Sequence, residues 1–165
     1  MPTVDLPDDV AAVLNELTQK LSMEQAMSKL VVSAAVGGDA YQLVDDQVRR
    51  PAIVSNPPLA AALWLYVDEL DKSHKISQGI DNATGSFWHG IMHRREGDFS
   101  NSHHWFRKVG AHPAMQHIDC PGGYDGHALI DQVEAARMSG DEPDELIATQ
   151  RGEWLALFAW CAIQA

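Results

Sequence analysis

Five of the chain's eight histidines, three arginines and two tryptophans fall within the 27 residues 86–112, SFWHGIMHRREGDFSNSHHWFRKVGAH. Such side chains are costly to crowd together unless they are hydrogen-bonded, stacked or contacting a ligand, so chemistry is expected here. His89, His93 and Glu96 are spaced by four and three, which on a helix places them within about 60° of one another. Two imidazoles one turn apart with a carboxylate one turn further on can converge on zinc or another transition metal. The Glu does not stand between the histidines as it does in the metalloprotease helix, so a further ligand must come from elsewhere. His74 and Asp68 are the nearest candidates. The competing reading is an exposed helix face with a local His–Glu contact.

The same block suits an anion. Arg94 and Arg95 close the helix, where positive charge meets the negative end of the dipole, and Arg107 follows on the next helix. A guanidinium fork grips carboxylate or phosphate through two parallel hydrogen bonds. Arg94 and Arg107 are therefore predicted to form a clamp, while Arg95, nearer the apolar side, is predicted to be the more buried and more firmly paired. With His89, His93 and the rim aromatic Trp105, these arginines define a site for a small anionic molecule or an acidic peptide end. Of Trp105 and Phe106, one ring should enter the core and one should stay near the rim. Adjacent His103 and His104 face different ways, so at least one is a solvated bystander. His112, between Gly110 and Pro113, is a loop candidate for acid or base work. Asp98, Ser100 and Asn101 read as turn and cap residues.

Positioning these residues requires helices, because apolar residues recur at helical spacing and clean alternation is scarce. The predicted fold is all-α, a single-domain helical bundle or short array of antiparallel hairpins, with amino-terminal helices in residues 1–50 and a site-bearing helical core in 59–165. Asp8 or Asp9 should cap a first helix. Ser22 with Gln25 has the form of a capping box opening a second, ended by Gly37-Gly38. A third runs over 40–49 and stops before Pro51, and 51–58 reads as a connector. One long helix is expected over 59–77, putting Asp68, Asp71 and His74 in a stripe that can hold metal, orient an imidazole or pair with the arginines. Helices over 86–96 and 100–109 follow, divided by Gly97-Asp98, with Phe87 and Ile91 as anchors and the polar trio on a surface or in a cleft. A loop over 112–126 then leads to helices over 127–138 and 145–163.

The stretch EGDFSNSHHWFRKVG resembles the helical hairpins of tetratricopeptide-type proteins over about two hairpins, although no 34-residue register fits the remainder of the chain. The block SFWHGIMHRREGDFSN also resembles small helical proteins with no assigned activity. Neither resemblance implies a catalytic residue.

A formal charge of −11 disfavours nucleic acid or an anionic membrane as partner. The charge is uneven: residues 86–112 carry +2, leaving −13 on the rest. The opening MPTVDLPDDV lacks the order of a signal peptide and no run is long enough to span a membrane, so a cytoplasmic location is expected. Cys120 and Cys161 form no metal or redox motif and read as reduced thiols. GxSxG, GxxxxGK[ST] and GxGxxG are all absent. Three readings follow: a binding domain for a small anion or acidic peptide, a metal-dependent enzyme using His89, His93 and a third ligand, or a structural domain whose polar block fixes helix packing for a protein partner.

Overall fold

The computed structural model describes residues 5–164, so residues 1–4, part of the stretch read for a leader, and residue 165 lie outside it. Nine α-helices and one 3-10 turn are present among the described residues, with no strand. They are α1 (Asp8–Lys20), α2 (Gly38–Gln47), α3 (Pro51–Val54), α4 (Pro57–Tyr66), α5 (Leu70–Ser77), α6 (Ala83–Glu96), α7 (Phe99–Val109), the 3-10 turn Pro113–His117, α8 (Gly126–Ser139) and α9 (Asp144–Ile163). This is the all-α bundle that the periodicity predicts.

Helix α6 lies at the centre. Asn82 opens it by accepting the Gly85 N–H at 2.9 Å. Gly97 (φ 86°) closes it in a Schellman turn, in which Gly97 and Asp98 donate backbone N–H to the carbonyls of Arg94 and His93. Asp98 then caps α7 by accepting the Asn101 N–H. Residues 85–95 are all buried, so His89 and His93 lie in a cleft and not on an open face. Helices α4, α5 and α7 enclose α6, so it has no solvent side of any width. Gly90 makes the α7 contact close: a Cβ there would lie 2.6 Å from the Phe106 ring, and the Ser102 hydroxyl donates to the Gly90 carbonyl at 2.7 Å. That approach brings the next face of α7, carrying Trp105, over the histidines.

Four expectations are corrected. The first helix is capped by no side chain: Pro7 takes the N-cap position, and Asp8 and Asp9 sit in the first turn, where their charge favours the positive end of the helix dipole. No second helix forms over 22–37. Ser22 and Gln25 do make the start of a capping box, with the Ser22 N–H donating to Gln25 Oε1, but the carbonyls that a helix would use are taken from outside. Arg151 donates to Glu24 and Ala26, Gln150 to Met27 and Lys29, and Arg95 to Lys29. The connector 51–58 contains α3 and the start of α4. Finally, the single helix over 59–77 is broken into α4 and α5 at Val67-Asp68, where Asp68 adopts the left-handed conformation (φ 62°) that aspartate tolerates better than most residues. Asp68, Asp71 and His74 therefore form no stripe.

Candidate metal centre

The break at Asp68 redirects α5 so that His74 meets α6. The ring of His74 lies edge-on to those of His89 and His93, at centroid separations of 4.7 and 5.4 Å, and His89 and His93 stack on each other at 4.7 Å. One ring nitrogen from each of the three lies within 4.8 Å of the others. Ligand atoms on a tetrahedral ion with bonds near 2.0–2.1 Å stand about 3.3 Å apart, so small side-chain rotations complete the geometry. His89 and His93 are buried and His74 is half-buried, which places the cluster at the base of the α5–α6 seam with one side reaching solvent.

Each imidazole is held differently. Glu96 Oε1 lies 2.6 Å from His93 Nδ1, the carboxylate–histidine contact that orients a metal ligand and leaves Nε2 bare. Trp105 covers His89 with a parallel ring at 3.8 Å, and Lys108 Nζ sits 4.4 Å from the Trp105 ring. Phe106, beside it, enters the core, as expected for one of the two aromatics. His89 Nδ1 is enclosed without a hydrogen-bond partner. Burial, followed by the positive potential of His93, His74, Lys108 and His104, holds the His89 pKa down to about 3. His89 is thus neutral near pH 7, the state a metal requires. A second group of potential ligand atoms, from His93, Glu96 and Asp98, adjoins the first at the end of α6. Of the predicted metal set, His74, His89 and His93 converge, Glu96 stands behind His93, and Asp68 is elsewhere.

Asp68 belongs to the arginines, and Arg94 and Arg95 are paired inside the protein. Arg94 is fully buried, with its two terminal nitrogens donating to the two Glu153 oxygens at 3.0 and 2.6 Å. Tyr124 donates its hydroxyl to the same carboxylate at 2.6 Å, and burial together with the Glu153 charge raises the Tyr124 pKa well above its ordinary value. Burial disfavours the Arg94 charge, but Glu153 more than offsets this and raises its pKa. Arg95 is equally buried. It donates to the Leu65 and Lys29 carbonyls and lies 2.8 Å from Asp68 Oδ1, an ion pair whose alignment falls short of a hydrogen bond. The expected order is therefore reversed, since Arg94 has the firmer partner. Arg107 is exposed, so an Arg94–Arg107 clamp does not form.

The remaining histidines separate. His104 is exposed, His112 supports a loop, and His103 pairs with His127 on α8. A cavity of about 880 Å³ runs along α9 between Met23, Ile118, Leu155 and Trp160 and includes none of the clustered histidines. Its lining is mostly apolar, with Glu24, His117, Asp119 and Arg151 among the polar residues. Sequence reasoning missed Glu153 and Tyr124, for which no local signal exists: they stand 59 and 30 residues from Arg94. No protein family matches the sequence, and no curated protein or solved structure is similar to it.

Proposed function

We propose that this protein binds one divalent transition-metal ion of the zinc class through His74, His89 and His93, with Glu96 orienting His93. The carrying observation is the convergence of three imidazole nitrogens from two helices within 4.8 Å. The enclosed, unpartnered Nδ1 of His89 and the neutrality of that ring fit an ion better than a solvated face. Three protein ligands leave a coordination position for water or a substrate atom, the arrangement that supports metal-assisted hydrolysis, with the ion polarising the oxygen it holds. His74, the least buried of the three, marks the side from which that position is reached.

The test is metal content and affinity in protein purified without a polyhistidine tag. Close to one ion per chain is expected, with a cobalt-substituted form showing the absorption of a tetrahedral nitrogen site. His93→Ala should lose most of the metal, and chelation should lower the melting temperature, because ion binding is coupled to folding. Protein that takes up neither zinc nor cobalt and melts unchanged with chelator would overturn the proposal.

A further inference from the structure

A second histidine constellation lies on the opposite side of α7, independent of the metal reading and sharing no residue with it. His103 on α7 and His127 at the start of α8 bring their Nδ1 atoms to 2.7 Å, and Asp131 Oδ1 lies 2.9 Å from His103 Nε2. The two rings are parallel within 5° with centroids 5.0 Å apart. That separation equals the nitrogen–nitrogen distance plus about one ring radius on each side, so the rings meet edge to edge in one plane and are not layered face to face. Two lone pairs aimed at each other across 2.7 Å have room for a proton and none for an ion with bonds near 2.0 Å.

The protons can then be placed. Asp131 accepts the Nε2–H of His103, so a neutral His103 presents a bare Nδ1. The bridging proton must come from His127 Nδ1, which leaves the lone pair of His127 on Nε2. That atom has no hydrogen-bond partner, and it is not among the enclosed unpartnered atoms of the protein, so it meets solvent. Helix α8 fixes the spacing: His127 and Asp131 are one turn apart, and Asp125 caps the helix by accepting the His127 N–H at 2.9 Å. Phe106 closes one side of the His127 ring edge-on.

We infer that Asp131, His103 and His127 form a relay that makes Nε2 of His127 a nucleophilic site for acyl-type electrophiles. The order carboxylate, imidazole, nucleophile is that of acyl-transfer triads, with a second imidazole in the place of the hydroxyl. In the step proposed, the Nε2 lone pair attacks an activated carbonyl carbon and the leaving group departs with the electrons of its bond to that carbon. The Nδ1 proton of the resulting acyl-imidazolium passes to His103 Nδ1, and Asp131, still ionised, holds the His103 imidazolium through its Nε2–H. The proton moves along a contact already at hydrogen-bond length. Water then attacks the acyl carbon, the bond from that carbon to Nε2 breaks with its electrons returning to the ring, His103 gives the Nδ1 proton back to His127, and the acid departs with the water oxygen.

Diethyl pyrocarbonate, a small electrophile that ethoxycarbonylates imidazole, probes this directly with peptide mass spectrometry as the readout. His127 should be modified about 100-fold faster than the exposed His104, the lower end of what a positioned proton acceptor contributes. His103→Gln and Asp131→Asn should bring the His127 rate down towards that of His104. A helix contact with no relay would leave those rates unmoved, even if melting temperatures shifted. Nitrogen-15 spectra of the wild-type protein supply a second reading that needs no variant: protonation at His127 Nδ1 and His103 Nε2 is expected, and the opposite tautomers would overturn the inference. So would equal reactivity of His127 and His104.

Discussion

Arg94→Ala is the substitution whose consequence the structure sets most tightly. The guanidinium and the Glu153 carboxylate are both sealed from solvent, share two hydrogen bonds of 2.6 and 3.0 Å, and the carboxylate takes a third from Tyr124 at 2.6 Å. Removing the arginine leaves a buried carboxylate with one neutral donor, a defect that costs about 3–5 kcal/mol. For a chain of this length each kcal/mol moves the melting temperature by about 2–4 °C, so a fall of roughly 6–20 °C is expected. Glu153→Gln preserves the shape and strands the opposite charge, with a loss of the same order. The triple variant Arg94→Met, Glu153→Leu, Tyr124→Phe removes every polar partner together and should recover most of the stability, because apolar replacement of a buried pair is often neutral. Urea denaturation of the four proteins gives the comparison. A loss below about 1 kcal/mol for Arg94→Ala would show a guanidinium behaving as an exposed pair, and the sealed network would be refuted.

Two further outcomes are expected. Glu96→Gln should weaken zinc binding by about 10–100-fold, the usual effect of removing an orienting carboxylate, and leave metal-free stability within about 0.5 kcal/mol, since Glu96 is exposed; a competition titration with a chromogenic chelator reads the first and urea denaturation the second. His112 should make stability fall as pH drops below about 6.5. Its Nδ1 accepts the Ala114 N–H at 3.1 Å and its Nε2 faces Thr84 Oγ1 at 3.0 Å, while burial depresses its pKa below the ordinary 6.5. The unfolded chain therefore takes up the proton first, so the contribution is present above about pH 6.5 and is lost as the pH falls through the folded value. His112→Asn should flatten the slope, and an unchanged slope in urea midpoints against pH would remove His112 from the account.

What could be read in advance followed the range of the interactions. Gly97 as a left-handed helix end, Asp98 as the cap of α7 and the shared face of His89, His93 and Glu96 all depend on residues within one or two turns, and all are present. The arrival of His74 was legible as a candidate, but the route was not: an unbroken 59–77 helix was expected, and the turn at Asp68 brings His74 in. Residues 22–37 failed for the opposite reason, since their local pattern is helical and donors from α6 and α9 claim the carbonyls. The enclosure of α6 could not be read from its own alternation of polar and apolar residues, because the partners that neutralise Arg94 and Arg95 lie on other helices.

Those partners also decide which kind of ligand the block suits. The +2 charge of residues 86–112 suggested an anion while the arginines were counted as free. Glu153 and Asp68, both outside the block, cancel Arg94 and Arg95 inside the protein. The charges left at the surface of the block are Arg107 and Lys108 against Glu96 and Asp98, which balance. With those surface charges balanced, anion affinity from the side chains rests mainly on the two exposed cations, and exposed charges are weakened by salt. The imidazoles remain, and burial keeps His89 neutral, so the cluster offers lone pairs where the composition suggested positive charge. An anion that binds here should therefore do so through a metal: carboxylate or phosphate should raise the melting temperature of the zinc-loaded protein and leave the metal-free protein unmoved. Stabilisation of both forms to the same extent would return the site to the arginines and refute the assignment of the histidines.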